Sequence, residues 1–325
     1  MNTTRRGFLG LAAAGGLLAA CGTTTPGGTA GAPASGPWEF TDDRGKLIRL
    51  PNRPQRIVTQ VNAGAALVDQ GITPIGVFGP RVLRSGGRDP QAGDVPADLP
   101  SVGTSWGEFD MEKYIALRPD LLVTILYGDT LWYVPDDSAA RIAEKAPIAA
   151  VRMSNTPADK AIDGFTRLAR ALGSDVDQSA AKAEFDKASD ALRAATRANP
   201  GIRAAFLQGV SQELYLAKPA YFSDLSYFTS LGVEAVNPTG GADPTWETLS
   251  WEQISKYPAD LFLVDARETG LSTQEMLAYP TWARLPAVQA GQVGAWRTET
   301  PMSYRKTAAA LTELATTISR AKRLG

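Results

Sequence analysis

FDMEKYIALRPDLLV at 109–123 and LSWEQISKYPADLFL at 249–263 describe the same unit twice. Each opens with a residue able to cap a helix, Asp110 or Ser250, because a short oxygen-bearing side chain accepts from the free N–H groups of a first turn. A short helix follows, with Glu112 or Glu252 in its first turn. Pro119 or Pro258 then stops it, since proline has no N–H to give to a helix. In both stretches an Asp (Asp120, Asp260) stands at the same distance beyond the Glu and leads into an apolar run. A near-continuous apolar run is the mark of a strand buried on both faces. A helix, a break and a buried strand form half of a parallel α/β layer, and one copy per half of the chain predicts two such layers.

Working outward, Gln70-Gly71-Ile72-Thr73-Pro74 and Leu231-Gly232-Val233-Glu234 each end a helix on glycine and enter a strand. Strands are expected at 56–60, 74–78, 121–126 and 148–152, then at 203–208, 233–237, 261–265 and 292–296. Helical spacing marks 63–70, 111–117 and 138–145, then 223–231, 251–256 and 272–278. Between the halves, Thr156 caps and Pro157 opens a helix whose Ile162, Phe165, Leu168, Ala169 and Leu172 recur at helical spacing before Gly173. A second helix covers 176–198 and breaks at Asn199-Pro200-Gly201. The chain closes on an amphipathic helix at 303–323, with Leu311, Leu314, Ala315 and Ile318 on one face. The expected organisation is an N-terminal α/β lobe at 38–155, a linking helix at 156–173 and a C-terminal α/β lobe at 174–325. A helical crossover makes a stiff hinge, because bending it costs backbone hydrogen bonds.

The first 21 residues read as an address. Arg5-Arg6 is followed at once by an apolar run, Phe8 to Ala20, a twin-arginine pattern. That run is shorter than the about 20 residues a membrane span needs, so it reads as a signal segment. It ends in Leu18-Ala19-Ala20-Cys21, which looks like a bacterial lipobox, and Cys21 is the only cysteine of the chain. Lipidation of Cys21 would leave no thiol for a disulfide, so burial alone must hold the mature fold. Gly22 to Pro37 contains no core-forming residue and reads as a flexible tether. With 33 basic and 34 acidic residues and no polybasic tract, nucleic acid is not an expected partner.

There is no histidine. That removes Ser-His-Asp and Cys-His catalysis and the His-ligated zinc sites. A receptor taking bare metal through imidazoles is excluded with them. A receptor for metal already wrapped in an organic chelator is not.

Together, the tether, Arg56-Ile57-Val58, the Gly71-to-Val77 turn and strand, the paired Glu…Pro…Asp units and the mid-chain helix resemble the helical-backbone periplasmic binding proteins. These include receptors for ferric siderophores, haem and vitamin B12. The resemblance covers nearly all of the chain from Trp38 onward. It implies two Rossmann-like lobes joined by one rigid helix, with a ligand clamped between them; with the lipobox, the expectation is a monomer lipid-anchored to the outer face of the cell membrane or the periplasmic membrane face. It also implies delivery to an ABC permease dimer with its ATPase, one Glu of each lobe docking on the permease. Glu112 and Glu252 stand at the matching positions. A carboxylate in a first helical turn also complements the helix dipole, and the two roles are compatible.

Ligand contacts are expected from loops that follow strands. A ferric chelate is wide, partly apolar and edged with oxygens, so aromatic walls with Arg or Tyr donors suit it. The residues selected on that ground are Arg84, from a loop that also carries Arg81 and Arg88, then Trp106, Tyr127, Tyr133, Trp246, Arg267 and Arg297. Tyr215, Tyr221 and Phe222 lie near a helix start. No direct metal ligand is expected from the protein. A hydroxamate-type ferric siderophore is the first expectation for the transported ligand, with cobalamin and haem left open. An exported carboxylate-based hydrolase is the alternative class: Asp129, Asp136 and Asp137 cluster, but no spacing fixes an acid/base pair. There is no Gly-x-Ser-x-Gly elbow and no phosphate loop.

Overall fold

The computed structural model describes residues 36–324. The signal segment with Cys21, and all but the last two residues of the tether, lie outside the described residues. The first lobe begins with a hairpin, β1 (Trp38–Thr41) and β2 (Leu47–Leu50). It continues through β3 (Ile57–Gln60), α1 (Val61–Val68), β4 (Gly76–Phe78), α2 (Met111–Ala116), β5 (Leu121–Tyr127), β6 (Thr130–Leu131), α3 (Ala139–Lys145) and β7 (Ile148–Arg152). Then come α4 (Ala158–Ala171) and α5 (Ser179–Ala198). The second lobe holds β8 (Arg203–Gly209), β9 (Glu213–Ala217), α6 (Ser223–Ser230), β10 (Glu234–Ala235), β11 (Trp246–Ser250), a 3-10 turn at Trp251–Lys256 and β12 (Leu261–Asp265). It ends with three one-turn helices, α7 (Thr273–Met276), α8 (Pro280–Ala283) and α9 (Pro286–Gln289), then β13 (Val293–Trp296) and α10 (Tyr304–Arg320).

Each lobe is built on a parallel core. In the first, β4, β3, β5 and β7 run parallel. In the second, β10, β8, β12 and β13 do so, and the antiparallel β9 and β11 extend one side. The Asp of each repeated unit sets the strand register. Asp120 accepts from the backbone N–H of Gln55 at 2.7 Å and of Arg56 at 2.8 Å, tying the start of β3 to β5. Asp260 accepts from the N–H of Arg203 and of Leu324, both at 2.9 Å, tying β8 and the C-terminal tail to β12. The two caps also form: Asp110 accepts from Lys113 N–H, and Ser250 makes a reciprocal capping box with Gln253.

The helical passage between the lobes has two pieces. On the stretch assigned to the link, α4 packs on β7, α1 and β1 and also meets α6. The long connecting helix is α5, which pairs along its length with α10. One buried cluster runs from Trp38 and Phe40 through Phe165 and Leu168 to Phe185, Leu192, Phe206, Phe228 and Leu311. A hinge passing through such a core resists bending, since close-packed interiors deform little. Separate clusters cover the outer faces, around Tyr114 and Ile142 in the first lobe and around Phe262 and Trp282 in the second.

Sequence pattern misses some of this. Thr156 does not cap α4: its hydroxyl donates to Ser154 O, and Pro157 takes the cap position with no side-chain bond. Trp246, expected in a loop, instead begins β11 and pairs with Ala217 of β9. Both strands are half-buried and short, with polar residues on the open face. That pattern is hard to tell from a loop.

The buried Asp260 and the half-buried Asp120 give a direct test. Asp260→Ala is expected to cost about 2–4 kcal/mol in urea denaturation, since it removes several charge-assisted hydrogen bonds in a dry site, and Asp120→Ala about 1–2 kcal/mol. Equal losses would contradict the difference in burial.

Candidate ligand site

The loops leaving the C-terminal ends of the parallel strands converge from both lobes, where open α/β sheets leave a crevice. The first lobe supplies Tyr127 at the end of β5, Trp132 and Tyr133 just beyond β6, and the 79–89 loop after β4. The second supplies Tyr221 and Phe222 before α6, Trp246 of β11, Arg267 after β12, and Thr298 and Glu299 after β13. Tyr127, Trp132, Tyr221, Phe222, Trp246, Arg267 and Glu299 line a cavity of about 270 Å³.

Its walls form a continuous aromatic chain across the lobes. Tyr127 stacks on Tyr221, with ring centroids 6.2 Å apart. On the first-lobe side Tyr127 meets Trp132 at 4.8 Å, and Trp132 meets Trp106 at 4.7 Å. Trp106 also meets Tyr133 at 5.3 Å and lies on the rim, 57% exposed. On the other side Phe222 meets Trp246 at 5.0 Å and Trp296 at 5.2 Å. Edge-to-face pairs of this kind hold each ring by its neighbours and leave some faces free for a ligand.

The floor is charged. Arg267 gives its Nε and Nη2 to Asp265, the shortest bond being 2.6 Å, and its Nη1 to Glu299 at 2.8 Å. Both carboxylates are buried, so a buried cation meets two buried anions, the pairing that makes burial of either tolerable. Two more buried carboxylates stand close. Asp89, from the 79–89 loop, accepts from Gln91 N–H, and Asp224 accepts from the Trp296 indole N–H at 2.7 Å. Burial raises the Asp89 acid, with Arg267 among the groups holding it down. Burial pushes Asp224 up to about 6, against the hydrogen bond from Trp296. The Arg267 guanidinium is held more firmly in its charged form by Glu299 and Asp265, against the cost of burial.

Three residues around this floor, Tyr133, Glu268 and Glu299, hold left-handed backbone with φ near 60°. Non-glycine residues pay for that conformation and keep it only where surrounding contacts over-determine it, commonly at ligand sites.

Beside the cavity, a wider groove of about 640 Å³ runs past Arg84, Ser85, Glu268 and Gly270. Here the 79–89 loop reaches the other lobe. Arg84 Nη2 donates to Gly270 O at 2.8 Å, and Glu268 accepts from the Ser85 N–H and hydroxyl, both at 2.9 Å. Those Ser85 bonds, then Arg84, hold the Glu268 acid below its ordinary value.

Of the residues selected from the sequence, Tyr127, Trp246 and Arg267 meet in the cavity, and Trp106 and Tyr133 continue its wall. Arg84 lies in the neighbouring groove, bonded across the lobes. Arg81 donates to the Leu99 carbonyl and Arg88 to the Ala92 carbonyl, both further along the first lobe. Arg297 points elsewhere: its Nε donates to Glu313 of α10 at 2.6 Å. Glu112 and Glu252 are both exposed, one on each lobe, and neither carboxylate has a hydrogen-bond or ion-pair partner among the described residues. Sequence reasoning missed Glu299, Asp224 and Asp89. Glu299 carried a usable signal, standing three residues past the predicted strand at 292–296, whereas Asp224 sits inside a predicted helix and gave none.

A family described as periplasmic binding protein matches residues 84–300, and the chain belongs to that family. DesE of Streptomyces coelicolor, a ferric-siderophore receptor protein solved by crystallography, is 38% identical. It superposes with a TM-score of 0.83 over 89% of this chain and 100% of its own. The Fe(3+)-citrate-binding protein YfmC of Bacillus subtilis (strain 168) is 26% identical over 78% of this chain and 76% of its own. The Vibrio cholerae siderophore-binding protein FhuD, solved with Fe3+-Desferal bound, is 20% identical with a TM-score of 0.60. Those figures cover 81% of this chain and 98% of FhuD, and they speak to the fold. These relatives are binding proteins and not enzymes. Among the described residues no helix is long and apolar enough to cross a membrane.

Asp224 yields a pH prediction. Its folded pKa, about 6, lies above the unfolded value of 3.8. The folded state therefore binds this proton more tightly, and the charged carboxylate costs stability above pH ~6 that is recovered as pH falls toward 4. Asp224→Asn keeps an acceptor for Trp296. It is expected to stabilise the protein by on the order of 1–3 kcal/mol near neutral pH and by nothing near pH ~4. Thermal melts across that range that show no pH-dependent gain would contradict the assignment.

Proposed function

We propose that the chain captures a ferric siderophore, with the hydroxamate type favoured, in the cleft between its lobes and delivers it to an ABC permease dimer powered by its ATPase. The observation that carries this reading is the aromatic chain that crosses from one lobe to the other around the cavity. Such a wall suits a broad chelate with an apolar surface. A tris-hydroxamate wraps ferric iron in an uncharged shell, which matches aromatic walls better than a polyanionic shell does. The 38% identity to a ferric-siderophore receptor supports the same class. The chelate is cargo, and the protein needs no cofactor of its own.

The rest of the reading concerns placement. Export follows the twin-arginine segment, and acylation of Cys21 holds the monomer to the outer face of the membrane on the 22–37 tether. The lobes are taken as 38–155 and 174–325, joined through the helical passage that opens with the link at 156–173 and continues into α5. Tyr127, Tyr133, Trp106, Trp246 and Arg267 face the chelate, and Arg84 and Arg297 join the proposal on their strand exits alone. Glu112 and Glu252 are exposed carboxylates at equivalent places on the two lobes, which suits a two-fold permease offering a basic residue to each.

Two measurements test it. Titration with a ferric hydroxamate should quench tryptophan fluorescence, since Trp132 and Trp246 line the cavity; quenching by cobalamin but by no ferric siderophore would contradict the ligand class. The double variant Glu112→Gln/Glu252→Gln should bind the chelate as tightly as the parent. Its uptake by cells should fall at least about tenfold, with smaller losses for each single change. Unimpaired uptake would remove these residues from docking.

A further inference from the structure

The cavity has one cation in its lining, Arg267, and that cation is already spent. Among the described residues, all of its side-chain hydrogen bonds go to Asp265 and Glu299. Around it stand four buried carboxylates, those of Asp89, Asp224, Asp265 and Glu299. At the rim, Lys218 is held by the carbonyls of Gly241 and Asp243, and the Asp243 carboxylate adds a further negative group. The site therefore carries more negative than positive charge where a ligand would rest.

Glu299 is the member of this set that lines the cavity. It is 7% exposed. Oε1 is taken by Arg267, while Oε2 is buried with no hydrogen-bond partner among the described residues. The Trp132 indole N–H, itself without a hydrogen-bond partner among the described residues, lies near enough to lower the Glu299 acid. Asn62 of the first lobe donates to the Glu299 carbonyl, and the left-handed backbone fixes the direction of the side chain. Desolvation pushes the Glu299 acid above the usual range, held back by Arg267 and pushed further by Asp265 and Asp89. A buried carboxylate oxygen without a donor is costly, and a donor on the ligand would relieve it. The acidic groups do not make a bare-metal site: among the described residues no three of His, Cys, Asp or Glu come together to hold an ion.

We infer that Glu299 sets the charge specificity of the cleft: its free Oε2 accepts a hydrogen bond from a cationic or N–H-bearing edge of the chelate. The site thus takes neutral or cationic ferric chelates and rejects anionic ones. This rests on the ferric-chelate reading above. It also separates the protein from a ferric-citrate receptor, because citrate would bring negative charge onto a floor that already holds an excess.

A matched pair of chelates tests it with the iron core unchanged: ferric Desferal, whose free amine is protonated at neutral pH, and its N-succinylated form, whose tail ends in a carboxylate. Fluorescence titration of the full-length chain should show the cationic form binding at least about tenfold tighter. Glu299→Gln should narrow that ratio, and Glu299→Asp, which keeps the charge, should preserve it. Equal affinities in the parent protein, or a ratio that Glu299→Gln leaves unchanged, would overturn the inference. Should Glu299→Gln fail to fold, the ratio in the parent and in Glu299→Asp still decides. Binding of both forms without discrimination overturns only the charge assignment, whereas binding of neither overturns the ferric-chelate reading along with it.

Discussion

Arg267 lies between Asp265 and Glu299 at the meeting of the two lobes, with its side chain only 15% exposed. A guanidinium brought that far out of water needs its partners fixed in place, because removing one leaves an uncompensated buried charge. Asp265 ends β12 and Glu299 follows β13, so the triad locks together the exits of two neighbouring strands. It also keeps Glu299 in a backbone conformation that a free loop would abandon. From there Asn62 of α1 carries the arrangement into the first lobe. The aromatic wall stands on this floor, and its shape depends on the floor holding.

The scaffold behind the cleft is built to stay still. A single apolar cluster passes from the opening hairpin through α4 and α5 to α10, and the lobes are also joined by Ser223 to Met153 O and by Lys306 to Asp94. The contacts of Arg84 and Ser85 with the second lobe are of another kind. They are made by an exposed loop at the mouth of the groove, where hydrogen bonds compete with water. A rigid base with a lightly held mouth suits a binding protein that must hold its cargo and then release it.

Much of the fold was legible in the sequence, because parallel strands buried on both faces announce themselves as apolar runs. The strand at 261–265 and the repeated Asp before each buried strand came directly from that pattern. The half-buried β9 and β11 did not, since short strands with one polar face read as loops. The site was legible by type and less so by residue. Aromatics after strands pointed to Tyr127 and Tyr133, and Trp246 stands at the start of β11 and not in a loop. An Arg at a strand exit has no sequence mark telling whether it faces a cavity or a carboxylate. Arg297 went to Glu313 and Arg267 to Asp265 and Glu299. The buried acids were the least visible part, because their role comes from burial and mutual distance, which spacing along the chain does not encode.

The central claim is that this cleft carries an iron chelate, and the cargo itself is the most direct witness. Native mass spectrometry of the protein purified from its own host under iron limitation would weigh the occupied complex. One added mass per chain is expected, equal to a ferric chelate with the isotope pattern of iron. An added mass carrying cobalt, or an organic ligand with no metal, would contradict it.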